Sequence, residues 1–313
     1  MFIHTTTLIT DCQGNEFYRT ELIPKRYNIY LTTNIASAIL RAFMARPENG
    51  FTLTAFLTHH GPGKKFMDKV EKVAQEDGLP GGMRTFLAER GMHPQVQWDN
   101  EKATRTILED PTKPVILVSN HAHALEPTLS LAALPSRKNV SFIAKHGESN
   151  MFGPTMAGRY ITVWHPGHKE TEEQKDKRRA RNDAGIQNAI TKLIAGELLY
   201  IAPDGGDTSG DWKKGVVTLI ESALSMDEAY LVMVNVPDTK KTDPLLLALK
   251  KTSYKTVLIA NATKVQDLPI PESVKNMPYG KEKLLMFADI LKTHYDTWAS
   301  SSITTPISQP HDT

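Results

Sequence analysis

The chain has 313 residues and a single cysteine, Cys12, so no disulfide can form within it. Such sparing cysteine use fits a reducing compartment, and a cytoplasmic protein is expected. No apolar run approaches the ~20 residues that a membrane-spanning helix needs. The opening Met-Phe-Ile-His-Thr-Thr-Thr lacks the charged start and long apolar core of a secretory signal. Any membrane contact is therefore expected to be peripheral, at the inner membrane surface. Charge of one sign is also scarce. The 37 Lys and Arg nearly balance the 35 Asp and Glu, and the net +2 gives no reason to expect nucleic acid. No internal repeat is present. Gly-x-Ser-x-Gly is absent too, which removes the usual serine-hydrolase signature. What is there is the composition of an ordinary globular protein, 40% hydrophobic and 23% charged.

Residues 1–24 read as a hairpin turning around Gly14, and Thr33 is placed to cap a helix over 34–46. A second amphipathic helix is expected over 64–78, and a short one between Gly81-Gly82 and Gly91. Residues 1–109 thus form a mostly helical region with a hairpin at its start. The texture changes near residue 110. Short apolar runs at 115–118, 140–143, 160–163, 198–201, 230–236 and 256–259 alternate with helical stretches. That alternation predicts an α/β domain over 110–298, with a mixed, largely parallel sheet flanked by helices. Residues 281–298 read as a terminal helix and the Ser/Thr/Pro-rich 299–313 as a flexible tail. The dense charge of 169–183 reads as a solvated helix face; the alternative is a surface meeting anionic lipid or an acidic carrier.

The sequence Pro-Val-Ile-Leu-Val-Ser-Asn-His-Ala-His-Ala-Leu-Glu-Pro, residues 114–127, carries the chemistry. Its apolar run is a buried strand, and Pro127 suits the first turn of a helix. His121 then lies on the turn between them, with Glu126 near the helix start. A histidine oriented by a carboxylate is a general-base pair, because the carboxylate fixes the tautomer and stabilises the imidazolium. Farther along, the strand at 198–201 ends in Ala202-Pro203-Asp204-Gly205-Gly206, and Trp212-Lys213-Lys214-Gly215 leads into a helix. Glycines there allow close approach of backbone amides to a ligand, and lysines near a helix N-terminus suit a phosphate. A different class is also open. His121-Ala122-His123 is a His-x-His pair, and Glu126 would complete a three-ligand metal-dependent hydrolase site.

The order of these motifs resembles the glycerophosphate/lysophosphatidate acyltransferase superfamily, across roughly residues 110 to 265. The family's histidine and acid five residues later correspond to His121 and Glu126, preceded by Asn120. Its Phe-Pro-Glu-Gly-Thr acceptor motif corresponds to Ala202-Pro203-Asp204-Gly205-Gly206, and its Val-Pro-Val strand to Val232-Met233-Val234-Asn235-Val236. The intermediate block is similar to Ala144-Lys145, Phe152-Gly153 and residues 158–163. Gly196-Glu197 and the strand after it are similar to the lipid A late acyltransferase branch. The acids differ from the common pattern, with Glu126 and Asp204 in reversed identities. The family's two phosphate-binding arginines align with Asp207 and with Trp164 or His165. Arg159, Lys145, Lys213 and Lys214 are the cations present to replace them.

The resemblance implies acyl transfer from acyl-CoA or acyl carrier protein to a hydroxyl of a glycerolipid or related precursor. His121 would be the base, Glu126 its orienting acid, and no bound cofactor or metal is required. Backbone N–H groups at the start of the Pro127 helix, or near Gly205, would receive the oxyanion. A degenerate member that binds lipid or carrier without turnover is the non-enzymatic alternative.

Overall fold

The computed structural model describes residues 2–10, 16–24, 61–89, 91–120, 126–145, 154–166, 169–204, 211–237 and 253–303. The chain divides into two compact units, Met1–Leu57 and Thr58–Thr313. In the first, β1 (Phe2–Thr10) and β2 (Glu16–Pro24) pair antiparallel, from Phe2 opposite Pro24 to Thr10 opposite Glu16. This is the expected hairpin. The helix expected over 34–46 lies outside the described residues.

The second unit is built on an eight-stranded mixed sheet. Its strands are β3 (Met92–Trp98), β4 (Val115–Ser119), β5 (Val140–Lys145), β6 (Tyr160–Val163), β7 (Leu198–Ile201), β8 (Tyr230–Asn235), β9 (Ser253–Ile259) and β10 (Thr263–Lys264). The spatial order is β3-β9-β8-β4-β7-β5-β6, with β10 also on β8. Strands β4 to β8 all run parallel, while β9 and β10 are antiparallel to β8, and β3 is parallel to β9. β4 is central, between β7 and β8, and all five of its residues are buried. An unbroken Val-Ile-Leu-Val run is what a strand covered on both faces requires.

Helices cover both faces. On one lie α1 (Gly61–Ala88), α2 (Glu101–Glu109) and α3 (Glu126–Ala133), whose Val70, Leu87, Leu108 and Leu129 pack with Leu117, Phe142, Tyr200 and Val232. α4 (Pro154–Ala157) precedes β6 and contributes Met156 to that layer. Its first backbone N–H groups, on Thr155 and Met156, donate to the Glu71 carboxylate of α1. On the other face lie α5 (Glu172–Ile194), α6 (Lys214–Leu224), the short α7 (Glu272–Lys275) and α8 (Lys281–Ile303). There Leu193, Leu219, Phe287 and Leu291 meet Ile116, Val118, Leu199 and Met233. Adjacent strand residues alternate between these two layers, as the pleat demands.

Three features of the second unit differ from the sequence expectation. β3 is an additional strand within the N-terminal region expected to be mostly helical, and α2 follows it. α1 joins the two expected helices, with a break at Gly78 (φ 78°) where the chain leaves helical geometry before Pro80. The last helix runs on to Ile303, so 299–303 are helical where a flexible tail was expected.

The charged segment is α5. Thr171 and Gln174 form a reciprocal capping box at its start. Its charges pair with one another: Lys175 with Glu172 and Lys177 with Glu173 at 2.6 Å, Arg178 with Glu170 and Arg179 with Asp176 at 3.0 Å.

Candidate functional site

Strands β4, β5, β6 and β7 run parallel, so their carboxyl ends share one edge of the sheet. In open α/β sheets this is the edge where ligands bind. The register sets its members level. Val118 lies opposite Ile201, Ile201 opposite Ile143, and Val163 opposite Lys145.

Glu126 is the first residue of α3 and is fully buried. Burying a carboxylate is costly unless hydrogen bonds replace its water shell. The Ser130 hydroxyl, one helical turn on, donates to Oε1 at 2.5 Å. The Tyr200 hydroxyl donates to Oε2 at 2.9 Å and lies 3.2 Å from Oε1. The Ser119 and Tyr200 hydroxyl oxygens are 2.5 Å apart. Tyr200 has one proton and gives it to Glu126, so Ser119 is the donor in this second bond. The sequence of donation is therefore Ser119 to Tyr200 to Glu126, with Ser130 joining at the carboxylate. Ser119, Ser130 and Tyr200 are all fully buried.

Tyr200 is braced sideways by Phe142, stacked at 4.7 Å and 5°. Burial, reinforced by the Glu126 charge, pushes its phenol well above the usual tyrosine range, so it remains a donor at any working pH. Tyr295 of α8 is also pushed up, by burial first and then by Glu126, Asp296 and Asp204. Its hydroxyl donates to the Val234 carbonyl at 2.6 Å.

The other expected site residues fall in three groups. Some reach this edge. Pro203 is buried, and its carbonyl accepts the Lys213 backbone N–H at 2.7 Å, closing the base of the loop between β7 and α6. Asp204 is half-buried at the same strand end, and Lys213 and Lys214 are exposed at the start of α6. The Lys214 ammonium is 3.9 Å from the Asp183 carboxylate. Lys145 ends β5 on this edge.

A second group does not reach a ligand position. Asn120 donates to the Val236 carbonyl at 3.3 Å and accepts the Val236 N–H at 3.2 Å. Its amide therefore ties the end of β4 to the end of β8. Arg159 precedes β6, and its carbonyl accepts the Phe142 N–H. The parallel register leaves its backbone four residues short of the Val163 exit, about 13 Å down the strand at ~3.3 Å per residue. It stands away from the edge. The third group, His121, Gly205 and Gly206, lies outside the described residues, as do His123, Asp207 and the Lys145 side chain.

Sequence reasoning missed Ser119, Ser130 and Tyr200. Two signals were present: a tyrosine inside an otherwise apolar strand needs a partner for its hydroxyl, and Ser130 follows Glu126 at the i,i+4 helical spacing. Arg181 was also unexpected. Its guanidinium stacks 4.4 Å over the Trp164 ring, and the Asn182 amide holds the Trp164 backbone at both N–H (2.7 Å) and carbonyl (2.9 Å). Among the described residues no cluster of three His, Cys, Asp or Glu is arranged to hold a metal.

No family model and no curated protein matches the chain. Among solved structures, the 1-acyl-sn-glycerophosphate (LPA) acyltransferase PlsC from Thermotoga maritima is similar to it at 13% identity and a TM-score of 0.41, with 88% of this chain and 91% of that chain covered.

Proposed function

We propose that this chain is an acyltransferase that moves a fatty acyl group from a thioester, on coenzyme A or acyl carrier protein, to a hydroxyl of a glycerolipid or related precursor. The observation that carries this reading is the fully buried Glu126 carboxylate at the carboxyl edge of a parallel sheet, held by two hydroxyl donors. A buried carboxylate is a poor stabiliser, and its retention suits a group that orients another. His121 stands five residues before it, one residue past the anchored Asn120.

In the proposed reaction His121 takes the proton of the acceptor hydroxyl while the oxygen attacks the thioester carbonyl carbon. The carbon–sulfur bond then breaks, the thiolate leaves with the proton from the imidazolium, and an ester remains. Glu126 orients the imidazole and stabilises its charge. Backbone N–H groups at the start of α3, or those near Gly205, would receive the oxyanion. Pro203 and Asp204 shape the acceptor side, with Gly205 and Gly206 following, and Lys145, Lys213 and Lys214 supply positive charge. Asn120 supports this arrangement through Val236. Arg159 has no part in it.

No described helix is long and apolar enough to cross a membrane. In the proposed reaction a lipid acceptor would be met at a membrane surface, peripherally and on the cytoplasmic side.

The test is a product-mass screen of acyl-CoA and acyl carrier protein donors against a lipid extract. His121→Ala should lower turnover by about 10²–10⁴-fold. Glu126→Gln should be comparably severe, and Glu126→Asp should keep part of the activity. Unchanged turnover in His121→Ala refutes the mechanism. Intact thioester after long incubation with a wide acceptor panel would point to a non-catalytic lipid or carrier binder. Stoichiometric zinc, lost together with activity in His123→Ala, would point to a metal-dependent hydrolase.

A further inference from the structure

The interior of the sheet around Tyr200 is apolar apart from one polar file. Tyr200 sits at the third position of β7, with Phe142 on one neighbouring strand and Leu117 on the other at the same height. Phenylalanine would fill the same stacked position against Phe142. The hydroxyl adds two bonds, one received from Ser119 and one given to Glu126. Because the phenol lies within 3.2 Å of both carboxylate oxygens, and Ser130 holds Oε1 from the side, the carboxylate plane is fixed from two directions. The segment leading into Glu126 is the one that carries His121.

We propose that Tyr200, itself held by Ser119, is a positioning residue that fixes the orientation of the Glu126 carboxylate and through it the catalytic histidine. The assignment rests on the acyltransferase reading above for its consequence in turnover, and on the hydrogen bonds alone for its structural part. Tyr200 touches no reacting atom. It acts from behind the acid, on a strand that also leads into the Pro203-Asp204 turn. One residue of β7 thus couples the placement of the acid to the strand that presents the acceptor turn.

The experiment compares wild type with Tyr200→Phe and Ser119→Ala. Tyr200→Phe keeps the ring stacked on Phe142 and removes the bond to Glu126. It should lower kcat about 10–100-fold, the scale of a small misplacement at a reacting centre, with KM unchanged within about twofold. Ser119→Ala should give a smaller fall of the same kind, because Tyr200 keeps its bond to Glu126. Folded fraction at the assay temperature is read by circular dichroism. A fall in kcat no larger than the loss of folded protein makes Tyr200 a packing residue and overturns the proposal, as does wild-type kcat in Tyr200→Phe.

A readout independent of turnover is the carboxylate infrared band of Glu126, isolated by subtracting the spectrum of Glu126→Gln. That band should shift in Tyr200→Phe and shift less in Ser119→Ala. An unshifted band overturns the proposal whether or not acyl transfer is found. A shifted band with no transfer by the wild type upholds the structural part and refutes only the acyltransferase reading.

Discussion

Arg137 supports the opposite end of the sheet from Glu126, and its side chain is nearly buried, at 4% exposure. It donates to the carbonyls of Ile107 (3.4 Å) and Leu108 (3.1 Å) in the last turn of α2, where the helix dipole favours a cation. It also reaches the carbonyls of Lys113 (2.7 Å) and Gly196 (2.6 Å), just before β4 and β7, and Asn139 Oδ1 at 2.9 Å. Burial pushes its pKa down to about 10, partly offset by Asp110 and Glu197, so it remains a cation at neutral pH. A lysine cannot reproduce this planar fork. Arg137→Lys should cost about 3 kcal/mol in urea denaturation, the scale of leaving buried acceptors unpaired; a loss below about 1 kcal/mol would show that water or a shifted lysine replaces the guanidinium. None of this was legible in the sequence, where Arg137 is one polar residue in a loop. Glu126 was legible, because its meaning came from a local five-residue spacing. Tyr200 was not, since it meets Glu126 across a separation of 74 residues.

The elements show the same division between local and non-local information. The runs at 160–163 and 198–201 are strands with the expected bounds, and those at 115–118, 140–143, 230–236 and 256–259 differ only at their ends. Each is a short β-branched or aromatic run bounded by polar or turn residues. β3 is different. Met-His-Pro-Gln-Val-Gln-Trp is half-exposed and polar at alternate positions, and it becomes a strand by pairing with β9, Met92 opposite Ser253. That partner is far along the chain and cannot be read locally. The break in α1 shows a residue-level signal acting on an element. Gly78 has φ 78°, and a Cβ there would lie 1.9 Å from the Arg137 carbonyl oxygen. Gly78→Ala must therefore both strain the backbone and displace the Arg137 loop. The expected loss is at least ~2 kcal/mol in the same denaturation experiment. A neutral result would mean that α1 can straighten over this position without disturbing Arg137.

For the Thr58–Thr313 unit, the sheet order predicts where stability is concentrated. β4 has parallel neighbours on both sides and helices on both faces, and β7 lies beside it between β4 and β5. Among the described residues β6 is an edge strand, paired only with β5, and three of its four residues are partly exposed. The Glu126 cluster is attached to the interior of this arrangement, through Ser119 on β4 and Tyr200 on β7. The rim that carries Trp164 and Arg181 is attached to the edge. Amide exchange reports such differences, because core strands open only with global unfolding whereas edges open by smaller excursions. In native-state exchange with increasing urea, the amides of Leu117, Tyr200 and Val232 should share one steep dependence that extrapolates to the global unfolding free energy. Those of Ile161 and Val163 should exchange faster and with a shallower dependence. If β6 were as protected as β4, the edge would be held by contacts beyond its described strand neighbour, and the separation between a fixed Glu126 cluster and a yielding rim would fail. If it is less protected, the Glu126 carboxylate is held rigid while the far end of the same edge opens more readily.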